Sequence, residues 1–128
     1  MKKIINTSKA PNPVGPYNQA ILHNKTLYAS GQIAIDPASG ELITSEIKEE
    51  TKRVMENLRA VLEAADMTFK EVVKTSIFIT NMNDFTQINK VYSSYFEEEI
   101  APARETVQVA RLPKDVHVEI SLIAVKES

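Results

Sequence analysis

The chain has 128 residues, and its 15 lysines and arginines against 17 aspartates and glutamates give a formal net charge of −2. Because the net charge is slightly negative and no stripe of basic residues is present in the sequence, a dedicated nucleic-acid binder is disfavoured. Hydrophobic residues make up 43% of the chain, and cysteine is absent. We therefore expect one domain, residues 1–128, with one cooperative core and without disulfides, thiolate catalysis or iron–sulfur ligation.

Metal and membrane sites are poorly supported by the sequence. The two histidines, His23 and His117, are far apart, whereas zinc and most transition-metal sites depend on Cys or His. Residues 1–6 carry positive charge, but their apolar run stops after two residues and prolines follow, unlike a signal peptide. We expect no metal site, no contact with a membrane and a cytoplasmic location.

The first third of the chain predicts a loop and short strands. Three prolines and a glycine within residues 11–16 favour an ordered loop, with a disordered leader as the alternative. Residues 19–23 and 26–30 are expected to pair as a hairpin around a two-residue Asn-Lys turn. Residues 32–35 predict a third short strand, and residues 36–40 have the composition of a turn.

A long amphipathic helix is the clearest structural prediction. Apolar or small residues recur between Ile47 and Ala65 at i, i+3, i+4 spacing, and Ser45 precedes them as a plausible N-cap. The opposite face of this helix carries charges of both signs, which is typical of a solvated face.

Thr68 and Glu71 have capping-box spacing and predict a short helical turn. Residues 73–80 alternate as a strand, and apolar residues from Phe85 to Phe96 predict a second long helix. Three glutamates follow, residues 97–99, and these oppose the helix dipole.

Two final strands are expected at residues 103–111 and 116–125, joined by a loop at 112–115. The order βββαβαββ predicts an α+β fold with a largely antiparallel sheet and both helices on one face. The three glycines are too far apart for a phosphate-binding loop.

Arg104 is the first candidate for chemistry. It follows Ala101-Pro102-Ala103 at the start of a strand, where a guanidinium could hold a carboxylate through two parallel hydrogen bonds. The alternative is an exposed arginine paired with Glu105 or another neighbour, which the residue physics alone favours.

Glu119 lies within the last strand, where alternation places it on a polar face with His117 and Ser121. That face either meets water or lines a cleft in which a carboxylate could deprotonate a water molecule. Spacing alone leaves both interpretations open.

Ser30-Gly31 offers a hydroxyl and a backbone N–H that a ligand can approach closely, or else an ordinary strand end. Tyr17 and Asn89 are weaker candidates, since such residues are more often packed or simply solvated.

Five segments together resemble the RidA/YjgF family of reactive-intermediate deaminases, and the likeness covers residues 17–124. They are Gly15-Pro16-Tyr17, Ser30-Gly31-Gln32, Pro102-Ala103-Arg104, Val107 through Leu112-Pro113, and Val118-Glu119-Ile120. The resemblance implies a chorismate-mutase-like α+β fold and a homotrimer with clefts between subunits.

The resemblance also implies hydrolysis of enamines and imines, such as 2-aminoacrylate, to 2-keto acids and ammonia. It places the carboxylate-binding arginine at Arg104 and the water-orienting glutamate at Glu119. Further substrate contacts fall on Tyr17, Ser30, Gly31, Asn89 and the backbone around Thr106. Because a protonated imine is already electrophilic, we expect no metal and no organic cofactor.

The sequence departs from the family pattern at four positions. Glu105 replaces a small residue, Thr106 a frequent cysteine, and Asn18 a common serine. Because neighbours on a strand point to opposite faces, Glu105 is expected to face away from the ligand of Arg104; if it curls back, it competes for the guanidinium. Asp66 stands where glycine often ends the first helix, at a cost of about 1 kcal/mol.

Two other functions compete with an imine deaminase. A non-catalytic module for small carboxylates or a protein partner is suggested by Glu105 beside the anchor. Ribonuclease activity, attached to some relatives, is disfavoured by the net charge of −2, because phosphate contacts need clustered Lys and Arg.

Overall fold

The computed structural model describes residues 1–127. These contain six strands and two α-helices: β1 Lys2–Ile5, β2 Ala20–His23, β3 Thr26–Gln32, α1 Ile47–Ala64, β4 Val72–Ile79, α2 Phe85–Ser93, β5 Ala103–Gln108 and β6 Val118–Val125.

All six strands form one sheet in the order β1-β2-β3-β6-β4-β5. Every neighbouring pair is antiparallel except β4 and β5, which run parallel. The predicted α+β class with a mostly antiparallel sheet is therefore confirmed. Since the helix between β4 and β5 carries the chain back to the same end of the sheet, this one parallel pair follows from the connection.

One face of the sheet is buried beneath the helices and the other is not. In β6 the buried side chains alternate, as a half-covered strand requires. Helix α1 packs on β3, β6 and α2. The core contains Val118, Ile120, Leu122 and Ala124 from β6 and Val54, Leu58, Val61 and Leu62 from α1.

Helix α1 matches its predicted extent, but its N-cap was assigned wrongly. Glu46, not Ser45, is the N-cap, and no side chain caps the helix there. At the other end, Asp66 has a φ of 58°. The amide of Met67 donates to the carbonyl of Leu62 at 2.9 Å, completing the left-handed cap expected at Asp66.

The N-terminal residues add β1, a strand that the sequence analysis missed, at one edge of the sheet. The buried side chain of Gln19 holds the residues that follow β1, up to the first proline of the predicted loop. Its Nε2 donates to the carbonyls of Thr7, Ala10 and Pro11 at 3.0, 3.2 and 2.8 Å. Its Oε1 accepts from the amide of Thr7 at 2.7 Å.

The strand predicted at residues 32–35 is wrong beyond Gln32, which is the last residue of β3. The side-chain amide of Asn57, buried in α1, donates to the carbonyls of Ile33 and Ile35 at 3.1 and 3.0 Å. These carbonyls are satisfied by a helix, so the segment leaves the sheet.

The capping box of Thr68 and Glu71 is confirmed and opens a 3₁₀ turn at Phe69–Glu71. Helix α2 is shorter than predicted: it ends at Ser93, and the bonds at residues 94–96 span three residues instead of four. The last two strands are also shorter than predicted: β5 ends at Gln108 and β6 begins at Val118. The loop predicted at 112–115 contains a 3₁₀ turn at Pro113–Asp115.

Candidate functional site

The guanidinium of Arg104 lies against one side of α2. It donates from Nη1 to Oδ1 of Asn89 at 2.6 Å. Its Cζ stands 5.6 Å from the ring centre of Phe85 and 5.1 Å from that of Tyr92, so both rings contribute cation–π attraction. Three side chains of α2 therefore fix the guanidinium while its remaining N–H groups stay available.

The position of Tyr92 is fixed in turn by a residue of the sheet. Its hydroxyl shares a hydrogen bond of 2.7 Å with the buried hydroxyl of Thr75 in β4. Burial raises the pKa of Tyr92, more than the Thr75 bond and the charge of Arg104 lower it. The ring remains a neutral platform for the guanidinium at physiological pH.

Two cavities meet at Arg104. The larger, about 530 Å³, is lined on its apolar side by Tyr92, Phe96, Ala101 and Pro102 and also by Asn89 and Glu98. The smaller, about 420 Å³, includes Phe85 and Thr106. The hydroxyl oxygen of Thr106 is buried without a hydrogen-bond partner among residues 1–127. A polar group arriving from outside could satisfy it.

Glu105 does not pair with Arg104. It points to the opposite face of β5, where it forms an ion pair of 2.9 Å with Lys74 and accepts a hydrogen bond from Ser76. The Ser76 bond, followed by Lys74, lowers the pKa of Glu105. Within residues 1–127 Arg104 has no acidic partner, so the interpretation of Arg104 as an arginine paired with Glu105 is wrong.

Ser30 and Gly31 form a β-bulge. The pairing of β3 with β6 moves from Ala29↔Leu122 to Gln32↔Ile120, so that two residues of β3 oppose the single residue Ser121. Bulges redirect backbone groups and are frequent beside functional sites. The Ser30 hydroxyl donates to the carbonyl of Asn18 at 2.6 Å, which leaves its lone pairs for a ligand.

Glu119 lies directly over this bulge. A Cβ built on Gly31 would collide with the Oε2 of Glu119, so the carboxyl group occupies the space that the glycine leaves free. The two residues share a cavity of about 270 Å³ with Tyr17, Ser30 and Pro113. Desolvation raises the pKa of Glu119, which moves this carboxyl group toward the range of a general base.

Arg104 and Glu119 lie on opposite faces of the sheet within one chain. Arg104 of β5 pairs with Thr75 of β4, and Glu119 of β6 pairs with Phe78 of β4, so each side chain shares a face of the sheet with its partner's. Thr75 and Phe78 are three residues apart, so their side chains point to opposite faces. The two strands that carry the pair are separated by two strand spacings, about 10 Å.

The predicted site residues therefore fall into two groups, which we call the arginine half-site and the glutamate half-site. The arginine half-site contains Arg104, Asn89 and Thr106. The glutamate half-site contains Tyr17, Ser30, Gly31 and Glu119.

Three contributors to these half-sites were not predicted from the sequence. Phe85 and Tyr92, seven residues apart, were interpreted as the apolar stripe of a helix, and their role beneath the guanidinium leaves no separate signal in the sequence. Pro113 was assigned only to a loop. Lys114 and Asp115 follow it with φ values of 56° and 57°, a conformation that shapes this loop beside Glu119.

No three His, Asp or Glu side chains of residues 1–127 are grouped so that they could hold a metal ion. None of the helices in that range is both long enough and apolar enough to span a membrane.

Comparison with known proteins gives consistent matches over nearly the whole chain. A RutC family protein of Pyrococcus horikoshii is 49% identical over 127 residues, covering 99% of this chain and 100% of that protein. The human 2-iminobutanoate/2-iminopropanoate deaminase is 42% identical over 126 residues, covering 98% of this chain and 91% of the human protein.

The structure of E. coli TdcF with bound serine matches with a TM-score of 0.92 at 42% identity, covering 98% of this chain and 99% of that one. The fold is thus the chorismate-mutase-like α+β fold of the solved structures that it matches. The sequence model of the Endoribonuclease L-PSP family matches residues 7–126. The chain therefore belongs to that family, which is the RidA/YjgF family that its motifs resemble.

Proposed function

We propose that this protein hydrolyses reactive enamine and imine intermediates, such as 2-aminoacrylate, to 2-keto acids and ammonia. The observation that carries the proposal is the guanidinium of Arg104, fixed by Asn89 and two aromatic rings yet without an acidic partner among the described residues. Such a group is prepared to receive a carboxylate from outside the chain. Relatives named as imine deaminases support the same reaction class.

The proposal requires two copies of the chain at each site. Because Arg104 and Glu119 lie on opposite faces of the sheet, one substrate cannot reach both within a single copy. The uncovered sheet face carries exposed apolar side chains, among them Tyr28 and Val107, which are 50% and 41% exposed. Copies packed with the edge strand β5 of one against the uncovered face of the next, as in the homotrimer that the family resemblance implies, would bring the arginine half-site of one against the glutamate half-site of the next.

In this arrangement Arg104 holds the substrate carboxylate, and the Thr106 hydroxyl and Asn89 lie beside it. The bulge at Ser30-Gly31 of the neighbouring copy offers a backbone N–H that the substrate can approach closely. Positioning is most of the catalytic task, because a protonated imine already attracts a nucleophile.

The reaction proceeds from the protonated imine, which an enamine forms when its methylene carbon takes a proton from the solvent. Glu119 takes a proton from water, the hydroxide oxygen forms a bond to the C=N carbon, and the π electrons of C=N move to nitrogen, giving a carbinolamine. Glu119 then gives the proton to nitrogen and the C–N bond breaks. As the C=O bond forms, the hydroxyl proton passes to Glu119 and from there to ammonia, which leaves as ammonium. The relative TdcF was crystallised with bound serine, an amino acid that carries a carboxylate.

The test is the breakdown of 2-aminoacrylate generated by a pyridoxal-phosphate-dependent dehydratase. Arg104→Ala should lower kcat/KM by about a hundredfold or more, since it removes a charged bidentate contact. Arg59→Ala is the matched control: its guanidinium also lies over two aromatic rings, 5.6 Å from that of Phe69 and 5.2 Å from that of Tyr95, but it lines neither half-site. Unchanged turnover in Arg104→Ala would refute the proposal.

Two other outcomes identify the alternatives. Calorimetric binding of a 2-keto acid without imine hydrolysis would indicate a binding module for small carboxylates. RNA cleavage that disappears in Glu119→Gln would assign the glutamate half-site to a ribonuclease instead.

A further inference from the structure

The groove between the two helices carries an excess of positive charge. Lys48, Lys52 and Arg59 line it from α1, and Lys90 lines it from α2. The groove encloses about 480 Å³, and among residues 1–127 Glu49 is the one acidic residue that lines it. The chain as a whole has a formal charge of −2, so this local excess is created by the fold.

Folding brings these cations together in two ways. On α1, positions 48, 52 and 59 lie within about 40° of one another around the helix axis, and α2 adds Lys90 opposite them. Among residues 1–127, Lys48, Lys52 and Lys90 take part in no ion pair within 4.0 Å. Unpaired lysines that share one groove favour a negatively charged ligand.

Arg59 differs from the lysines because it is held rigidly. Its Cζ lies 5.6 Å from the ring centre of Phe69 and 5.2 Å from that of Tyr95. The Nε of Arg59 also lies 3.6 Å from Oε2 of Glu56. The same oxygen accepts a hydrogen bond of 2.6 Å from the Tyr95 hydroxyl. A cation that is already ordered loses little side-chain entropy when it binds.

The groove continues past Arg59 into a second cavity that adds three large apolar side chains. This cavity, about 470 Å³, shares Arg59, Ser94 and Tyr95 with the first. It adds Phe69, Phe96 and Ile100 together with Thr68, Lys70 and Glu97. Ile100 is 54% exposed. A ligand that follows the whole groove therefore meets cations first and apolar side chains at its far end.

We propose that this groove, which we call the α1–α2 groove, docks an extended acidic segment of another protein, ending in an apolar residue. Lys48 and Arg59 are eleven positions apart, about 16 Å along the helix. The cations therefore lie in a row along the groove, and they do not converge on one phosphate. Glu49 and Glu97 lie beside them, which disfavours the closely and regularly spaced phosphates of RNA. A peptide can place its carboxyl groups between these two acids.

The α1–α2 groove lies on the helix face, away from the uncovered sheet face that carries Glu119. None of its four cations lines either half-site. The inference is therefore independent of the proposed deaminase reaction, and either can fail alone.

The test measures fluorescence anisotropy of a labelled peptide of alternating glutamates that ends in two leucines. Wild-type protein should bind it at low salt, with affinity falling steeply as salt rises. Lys48→Glu/Lys52→Glu should weaken binding by about tenfold or more, and Lys90→Glu should weaken it as well. Lys9→Glu/Lys25→Glu makes the same charge change in exposed loops and should bind like wild type.

Thermal unfolding of the groove variants, followed by circular dichroism, should match wild type, which shows that they are folded. The inference is overturned if the peptide does not bind at low salt, or if the loop variant loses affinity as much as the groove variant. Tighter binding of single-stranded RNA than of the peptide, lost in the groove variants, would also overturn it and assign the groove to nucleic acid.

Discussion

Glu119 is a single carboxyl group whose surroundings predict the pH dependence of activity. Its pKa is raised by desolvation above the ordinary value of 4.5. Because it must be ionised to accept a proton from water, kcat/KM should fall as pH decreases through this raised pKa. Glu119→Gln should lower kcat/KM by about a hundredfold and remove that limb of the profile. A wild-type profile that is flat across this range would contradict the role of Glu119 as the base.

The same shift has an opposite consequence for stability. A carboxyl pKa raised by folding means that the folded state binds more protons between the unfolded and folded values. Stability therefore falls as pH rises through that window. Urea unfolding of Glu119→Gln should lack this contribution, which separates the effect on stability from the effect on the reaction.

Gly31 tests the geometry of the glutamate half-site without removing a reactive group. In Gly31→Ala the new methyl would collide with the Glu119 carboxyl, which is the flexible end of a side chain and can move. We expect kcat/KM to fall about tenfold or more, because the base is displaced, while stability changes by less than about 1 kcal/mol. Steady-state kinetics and thermal unfolding measure the two effects. Wild-type activity in this variant would show that the position of Glu119 over the bulge is unimportant.

At the scale of elements, the start of β6 is fastened to α1 by one buried residue. Glu50 is fully buried, and its Oε2 accepts from the amides of His117 and Val118 at 2.7 and 3.1 Å. Its Oε1 lies 2.7 Å from Nδ1 of His117. This contact anchors the first turn of α1 to the sheet.

Glu50→Ala should therefore destabilise the protein by about 3 kcal/mol, because it leaves two backbone amides without their acceptor in the interior. Glu49→Ala, at the exposed neighbouring position, should change stability by less than about 0.5 kcal/mol. The free energy of unfolding in urea measures both. Equal stabilities in the two variants would show that the start of β6 does not depend on α1.

The elements that sequence patterns predicted correctly are those governed by local chemistry. The spacing of apolar residues predicted α1, and the Thr68-Glu71 spacing predicted a capping box. Strand alternation predicted that Glu105 faces away from the ligand of Arg104. The failures have long-range causes. Asn57 removes residues 33–35 from the sheet through bonds to a distant helix, and no local pattern encodes that.

The candidate site was predicted only in part, for the same reason. Residue types and motif resemblance identified Arg104 and Glu119, but not that the two lie on opposite faces of one sheet. That fact depends on the register of β4 with both β5 and β6. Nor could spacing show that Phe85 and Tyr92 lie beneath the guanidinium, since their seven-residue interval is also that of any apolar helix stripe.

At the scale of the whole molecule, the half-sites make a prediction that one chain cannot satisfy. If each site joins Arg104 of one copy to Glu119 of the next, Arg104→Ala and Glu119→Gln proteins should each be nearly inactive alone. Unfolded together in equal amounts and refolded, they should recover about one quarter of wild-type activity, because a quarter of the interfaces pair two intact half-sites. Each variant refolded alone is the control. Sedimentation of the mixture should show assemblies larger than the 14.3 kDa chain, whereas a monomeric mixture without recovered activity would rule out a site shared between copies.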